Sequence, residues 1–235
     1  MWRCGEGDDV QITEVSVVGV RSSVLVFQRR DTRLRFVLIP TIHFGQPGYY
    51  QQIADRLSRC QLIVAEGEDG PSSTGFAYAI ALRVSRQSRG GTLVRQDINY
   101  EAAGVPVVWP DDLRSTGRRQ GLGWWGWLDL VMLVPFLVLT MAVGGRTWLL
   151  RQKFEVSDSS EPRLRWSLMS KALIEERDQY LVKALTKIDE ERRNEAIDVG
   201  VVYGAAHFPA IVRVLRDRLG YHAQRGGDWL TAIKF

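Results

Sequence analysis

The chain has 235 residues, of which 45% are hydrophobic and 25% charged, enough to bury the core of one large domain. Its 31 Lys and Arg residues are scattered among 27 Asp and Glu residues, so the net charge of +4 gives no nucleic-acid footprint. Cys4 and Cys60 lack CxxC spacing, which argues against a disulfide framework and a thiolate zinc site. Residues 1–10 have no apolar core, which does not fit a signal peptide. We therefore expect a single domain over residues 1–235.

Three runs rich in apolar and β-branched residues predict strands near the start of the chain. They cover residues 10–20, 23–29 and 34–39. The polar residues 30–33 predict the turn between the last two. A helix is predicted over 49–59, where Ile53 and Leu57 are four residues apart, and a short buried strand over 61–65.

The rest of the chain continues to alternate between helical and extended patterns. It predicts helices over 76–86, 163–193 and 211–219, a loop over 96–100, and strands over 105–109 and 200–203. This alternation indicates an α/β fold with a mixed β-sheet flanked by helices. In such folds ligands bind at the carboxyl ends of the strands, and His43 and Glu66 both follow predicted strands.

Two stretches of the chain repeat one pattern of strand, histidine and helix. The first delivers His43 after residues 36–42, and the second delivers His207 after residues 201–206. The chain has 3 histidines in all. We therefore expect two related halves whose histidines meet, together with Glu66, at one site. His222 follows a predicted turn and is expected at the surface.

A His/Glu/His set suits a divalent metal such as Mn, Co or Zn, because imidazole and carboxylate are borderline-to-hard ligands. Three protein ligands leave a position for water, whose pKa the metal lowers enough for attack on a carbonyl group. The predicted ligands are His43, Glu66 and His207, and Glu68 is a candidate base or further ligand. A structural role for each histidine is the alternative.

An apolar insertion over residues 121–150 is long enough to cross a membrane, and between Gly121 and Gly145 its only formal charge is Asp129. A single crossing would put about 30 Å of hydrocarbon between His43 and His207, whereas metal ligands lie about 2 Å from a shared ion. We therefore expect a helix that dips into the membrane or lies in its plane, on a side that the sequence does not specify. A core helix or a homodimer interface is the alternative.

Five short motifs resemble those of the TraB/GumN/Tiki family, in which two GxxH motifs and an intervening Glu recur. They are Thr41-Ile42-His43-Phe44-Gly45, Val64-Ala65-Glu66-Gly67-Glu68, Gln96 with Tyr100, Glu176-Arg177-Asp178-Gln179-Tyr180-Leu181, and Gly204-Ala205-Ala206-His207-Phe208-Pro209. The resemblance runs from about residue 34 to the end of the chain and omits the insertion. Position 40 is Pro where the family usually has Gly, which alters the first motif.

The resemblance implies an α/β core with two related halves and, for Tiki members, metal-dependent protease activity. It also implies that Arg177 holds negative charge on the substrate, that Asp178 orients Arg177 or a histidine ligand, and that Gln96 and Tyr100 line the pocket. The resulting hypothesis is a metal-dependent hydrolase of peptide-type substrates, associated with membrane lipid. The alternatives are a non-catalytic peptide-binding or regulatory protein and hydrolysis of a non-peptide ester or haem-related molecule.

Overall fold

The computed structural model describes residues 10–67, 93–110, 156–157, 168–224 and 226–235. In this part the chain forms an α/β structure in which a mixed nine-stranded sheet is flanked by helices. Some of the predicted features lie outside the described residues, namely Glu68, the predicted helix 76–86 and the insertion 121–150.

Eleven strands are assigned within the described ranges. They are β1 (Gln11–Ser16), β2 (Gly19–Gln28), β3 (Arg35–Thr41), β4 (Phe44–Gly45), β5 (Leu62–Ala65), β6 (Val94–Arg95), β7 (Val107–Val108), β8 (Val156–Ser157), β9 (Asp198–Gly204), β10 (His222–Ala223) and β11 (Asp228–Lys234). The main sheet has the order β7-β5-β9-β3-β2-β1-β8, with β10 and β11 also paired to β2. Strands β4 and β6 form a separate pair beside it.

The centre of the sheet is parallel, because β7, β5, β9 and β3 pair in that order and all run in one direction. Their register places Thr41 of β3 beside Gly204 of β9, and Ala65 of β5 beside Val202. The three carboxyl ends therefore meet at one edge of the sheet. These strands are almost continuously apolar, as expected for parallel strands that are covered on both faces.

Helices cover both faces of this parallel centre. They are α1 (Pro47–Leu57), α2 (Leu168–Arg192) and α3 (Phe208–Arg213), which continues into a π-helical turn at Val214–Arg218. Proline in the first turn starts both α1 and α3 at no cost in hydrogen bonds. Buried residues of α1 pack on one face with Ile39, Ile63 and Val202. Helices α2 and α3 pack on the other face through residues such as Leu185 and Ile211.

The predicted strand 10–20 is wrong as one element, because it is a hairpin. Strand β1 turns at Val17 and Val18 and pairs antiparallel with β2, with Ser16 opposite Gly19. The two valines are 75% and 70% exposed. Gly19 has φ +154°, and a Cβ there would lie 2.0 Å from the carbonyl oxygen of Ile233. Only glycine fits this close approach, but the β-branched valines conceal the turn in the sequence.

None of the helices within the described ranges is both long enough and apolar enough to cross a bilayer.

Cys60 is a buried free thiol beneath Gly200, and burial raises its pKa to about 11. It therefore packs as a small apolar side chain.

Candidate functional site

The candidate site lies at the carboxyl ends of three neighbouring parallel strands. Glu66 directly follows β5, and His43 comes two residues after β3. His207 ends the short 3-10 turn Ala205–His207 that follows β9, the strand between the other two. Strand order thus brings together three side chains that are distant in the sequence.

Gly204 lies between the side chains of His43 and Glu66. Its N–H donates a hydrogen bond of 2.7 Å to Glu66 Oε2. A Cβ at this position would lie 3.1 Å from His43 Nε2 and 3.3 Å from Glu66 Oε2. His43 Nε2 and Glu66 Oε2 therefore both lie close to the position that a Cβ of residue 204 would occupy. Because glycine has no side chain, the two atoms can approach the end of β9. The backbone angles of Gly204, φ −55° and ψ 139°, are open to any residue, so glycine is required here for space.

His207 is buried between two carboxylates. Its Nδ1 lies 2.7 Å from Asp178 Oδ1, and its Nε2 lies 3.6 Å from Glu66 Oε1. The ring also packs edge-on against Tyr203. Burial disfavours the charged imidazolium, but Asp178 and Glu66 together outweigh this effect and raise the pKa of His207 to about 9. In the metal-free protein His207 is therefore a cation at neutral pH.

His43 is exposed and is held by the segment that carries β6. Gln96 donates its backbone N–H to the His43 carbonyl oxygen at 2.7 Å, and its side-chain Oε1 lies 3.2 Å from His43 Nδ1. An imidazole that donates its Nδ1 proton to this oxygen keeps the lone pair of Nε2 for a ligand. Gln96 thus orients His43 as Asp178 orients His207.

The donors of this cluster fit a divalent metal in their chemistry. Both histidines have Nδ1 held by an oxygen atom, which is the usual support for a histidine that binds metal through Nε2. Yet no group of three or more His, Cys, Asp or Glu residues in the described part of the chain is arranged to hold a metal ion. Glu66 Oε1 instead faces His207 Nε2 directly. Metal-ligand distances of about 2 Å would require these side chains to move apart around the cation.

Two tyrosines at the start of α1 support the backbone that carries His43. Tyr50 donates its hydroxyl to the Ile42 carbonyl oxygen at 2.7 Å, and Tyr49 donates to that of Pro40 at 3.1 Å. Both side chains are buried, and burial raises the pKa of both hydroxyls. Sequence reasoning missed this role, although the adjacent tyrosines soon after His43 were a visible signal. Pro40 itself continues β3 and pairs in register with Tyr203.

The remaining predicted site residues differ in their placement. Tyr100 lies near Glu66, and its ring packs edge-on against Trp109 at 5.2 Å. Arg177 lies in α2, one residue before Asp178, and its side chain is outside the described part. His222 is exposed in β10, as expected.

Within the described ranges Glu66 and Asp178 contact His207, and Glu66 also reaches the neighbourhood of His43. The carboxylate of Glu66 therefore links the two histidines, while the contact of Asp178 shown by the described residues is with the buried ring of His207. Comparison of the chain with protein-family models, with curated proteins and with solved structures finds no match.

Proposed function

We propose that this chain is a metal-dependent hydrolase of peptide-type substrates that acts at a membrane surface and is related to the TraB/GumN/Tiki proteins. The observation that carries the proposal is the convergence of His43, Glu66 and His207 at the carboxyl ends of three adjacent strands. A buried histidine in contact with two carboxylates at such an edge is typical of a site rather than of a core.

The proposed ligands are His43 Nε2, Glu66 and His207 Nε2, with Mn, Co or Zn as the cation. A bound divalent cation supplies a water of lowered pKa and polarises a carbonyl oxygen. Asp178 and Gln96 fix the two imidazole rings through Nδ1, so that both Nε2 atoms are presented to the same site. Gly204 holds Glu66 through its N–H and leaves space beside it.

Proton transfer and charge stabilisation are proposed for residues that surround these ligands. In the metal-free protein His207 holds a proton between Asp178 and Glu66, and it would release this proton on binding a cation. Glu68 follows Glu66 by two residues and is proposed as the base. Arg177 is proposed to hold negative charge on the substrate, for which its forked donors are suited.

The family relationship is supported by the two halves of the fold. Strand β3, His43 and α1 form one unit, and β9, His207 and α3 form a second unit of the same kind. The strands of the two units are adjacent and parallel, in register from Arg35 beside Asp198 to Thr41 beside Gly204. We infer that these are the two related halves of a TraB-like domain, with residues 121–150 as a membrane-associated insertion.

Metal analysis of the purified protein tests the proposal. Wild-type protein is loaded with Mn, Co or Zn, dialysed, and compared with the His43→Ala and His207→Ala variants. We expect about one metal ion per chain in the wild type and strong loss in both variants. His222→Ala is the matched control, because His222 is exposed and distant along the sheet from the cluster, and it should retain the metal. Unchanged metal content in both site variants would remove the proposal.

A non-catalytic binding protein is the second candidate, and the contact between Glu66 and His207 favours it. Without a cation these side chains already satisfy one another, so the cluster is stable as an ion pair. A peptidase screen with each metal, run beside thermal unfolding with the same peptides, separates the two functions. Cleavage supports the hydrolase, whereas a rise in Tm without cleavage supports the binding protein.

A further inference from the structure

Three buried side-chain polar atoms have no hydrogen-bond partner among the residues that the structure describes. They are Thr41 Oγ1, Gln46 Nε2 and Tyr100 Oη. Buried polar atoms are rarely left unpaired in folded proteins, because each has lost its hydrogen bonds to water. The two hydroxyls require an explanation together, because both belong to residues that adjoin the candidate site.

Thr41 ends β3 directly beside Gly204. The two residues are paired in the parallel ladder, where neighbouring strands lie about 4.8 Å apart and paired side chains point to the same face. On that face the Cβ position of Gly204 lies within 3.3 Å of both His43 Nε2 and Glu66 Oε2. Thr41 is 1% exposed, and its β-branched side chain is stiff at χ1. Its hydroxyl is therefore fixed next to the functional atoms.

Tyr100 lies on the same side of the sheet. Its ring belongs to the apolar cluster that includes Ile42 and Tyr50, and Trp109 holds it edge-on. Burial raises the pKa of Tyr100 above its ordinary value, a contact with the Gln96 side chain lowers it in part, and the charge of the nearby Glu66 raises it. The hydroxyl therefore keeps its proton and remains a donor. Like Thr41, it is held by packing and has no hydrogen-bonded partner within the described ranges.

We propose that the hydroxyls of Thr41 and Tyr100 are the substrate-oxygen donors of the site, and that they bind the carbonyl oxygen of a peptide-type amide. This assignment rests on the proposed hydrolase function, which it extends by naming the groups that recognise the substrate. Two uncharged hydroxyl donors suit an uncharged acceptor such as an amide carbonyl oxygen, since each O–H can donate one hydrogen bond. A bound carbonyl group pairs both hydroxyls at once, and the donors become stronger partners if negative charge develops on its oxygen.

The sign of the stability change tests the assignment without any ligand. Thr41→Val and Tyr100→Phe remove hydroxyls that have no hydrogen-bond partner in the part of the chain that the structure describes, so each should raise Tm by about 2–6 °C. The matched controls are Thr32→Val and Tyr221→Phe. Their hydroxyls are hydrogen-bonded at the opposite end of the sheet, to the Arg29 carbonyl oxygen and to Asp189. The controls should lower Tm. A fall in Tm for both site variants would show that these hydroxyls already have structural partners, and would overturn the proposal.

Binding of acetohydroxamate to the metal-loaded protein tests the same donors directly. A hydroxamate binds a metal through its hydroxyl oxygen and its carbonyl oxygen, and the carbonyl oxygen can still accept hydrogen bonds from the two side-chain hydroxyls. We expect at least tenfold weaker binding to Thr41→Val and Tyr100→Phe by calorimetry, and unchanged binding to Thr32→Val and Tyr221→Phe. Equal affinity in the wild type and both site variants overturns the assignment. If the wild type itself fails to bind metal and probe, the hydrolase proposal fails, and the Tm comparison still decides whether the hydroxyls lack partners.

Discussion

At the residue scale, Gly204 determines how closely the functional side chains approach. It donates its N–H to Glu66 and leaves space for His43 on the same side of β9. Because its backbone angles suit any residue, substitution by alanine adds one methyl group without backbone strain. Such a change separates the geometry of the site from the stability of the fold.

We expect Gly204→Ala to weaken metal binding by about tenfold or more, an effect of the size that changes in the surroundings of metal ligands produce. The new Cβ would be 3.1 Å from His43 Nε2 and 3.3 Å from Glu66 Oε2, so both side chains must shift by a few tenths of an ångström. The free energy of unfolding should change by less than about 1 kcal/mol, since the backbone conformation is allowed. Calorimetric titration with Zn and urea unfolding measure the two effects.

Gly200→Ala is the control on the same strand. Its Cβ would meet Leu57 Cδ2 at 2.9 Å and Cys60 Sγ at 3.2 Å, in the core beneath α1. Overpacking of this kind costs about 1–3 kcal/mol but leaves the carboxyl end of β9 in place. We expect reduced stability with unchanged metal affinity. Equal metal affinity in Gly204→Ala and the wild type would contradict the role of Gly204.

The charge on His207 makes the stability of the metal-free protein depend on pH. Its pKa of about 9 in the folded state lies above the ordinary value of 6.5. The imidazolium therefore contributes its full stabilisation below about pH 6.5 and loses it progressively as the pH rises through 9. The contribution is on the order of 1–3 kcal/mol. Urea unfolding with a chelator, from pH 6 to pH 9.5, should show this loss in the wild type. A His207→Gln variant with the same loss would contradict the assignment.

At the scale of single elements, α1 fixes the position of His43 through two tyrosine hydroxyls. Tyr50→Phe leaves the buried Ile42 carbonyl oxygen without its donor, which should cost about 1–3 kcal/mol of stability. Because Ile42 precedes His43 directly, we also expect weaker metal binding. Tyr221→Phe should cost a similar amount and leave metal binding unchanged, since Tyr221 bonds Asp189 at the far end of β3. Identical metal affinities of the two variants would show that α1 acts on stability alone.

The strands at the centre of the fold were the best predicted from the sequence. The reason is that β3, β5 and β9 are continuous apolar runs, each followed within a few residues by a His or a Glu. The sequence also predicted the long helix α2, observed over Leu168–Arg192. The helix after His207 begins earlier than predicted, at Phe208, because Pro209 suits a first turn. The hairpin at Val17 and Val18 could not be predicted, since no turn residue occupies either position.

The supports of the candidate site were harder to predict, because they depend on tertiary contacts. Asp178 and His207 are 29 positions apart, and only the packing of α2 on the sheet brings them together. The family resemblance implies that Asp178 orients either Arg177 or a histidine, and its described contact is with His207. The position of the Thr41 hydroxyl, which has no partner in the described part of the chain, could not be predicted either, because the pairing of Thr41 with Gly204 depends on the register of two strands.

At the scale of the whole molecule, the described chain that precedes the apolar insertion ends at the same end of the sheet as the candidate site. Strand β7 runs parallel to β5, so the chain reaches Pro110 at the carboxyl-end edge that also carries Glu66. It returns at β8, which pairs with β1 on the other side of the sheet. If residues 121–150 bind a membrane as proposed, this connection would place the site near the lipid surface. The substrate would then be met at the membrane.

Replacement of residues 121–150 by a Gly/Ser linker of equal length should separate membrane binding from metal binding. The strands and helices that carry His43, Glu66, Asp178 and His207 all lie outside this segment, so we expect a folded chain that retains its metal. The replacement variant should remain in the supernatant when lipid vesicles are sedimented, because the apolar segment is the proposed lipid contact. Vesicle sedimentation, metal content and far-UV circular dichroism measure the outcome. Continued sedimentation of a folded replacement variant would contradict the lipid role. Unfolding of the variant would instead favour a core helix, and a change from dimer to monomer, measured by light scattering, would favour a homodimer helix. In either case a flexible linker could not replace the contacts that the helix makes.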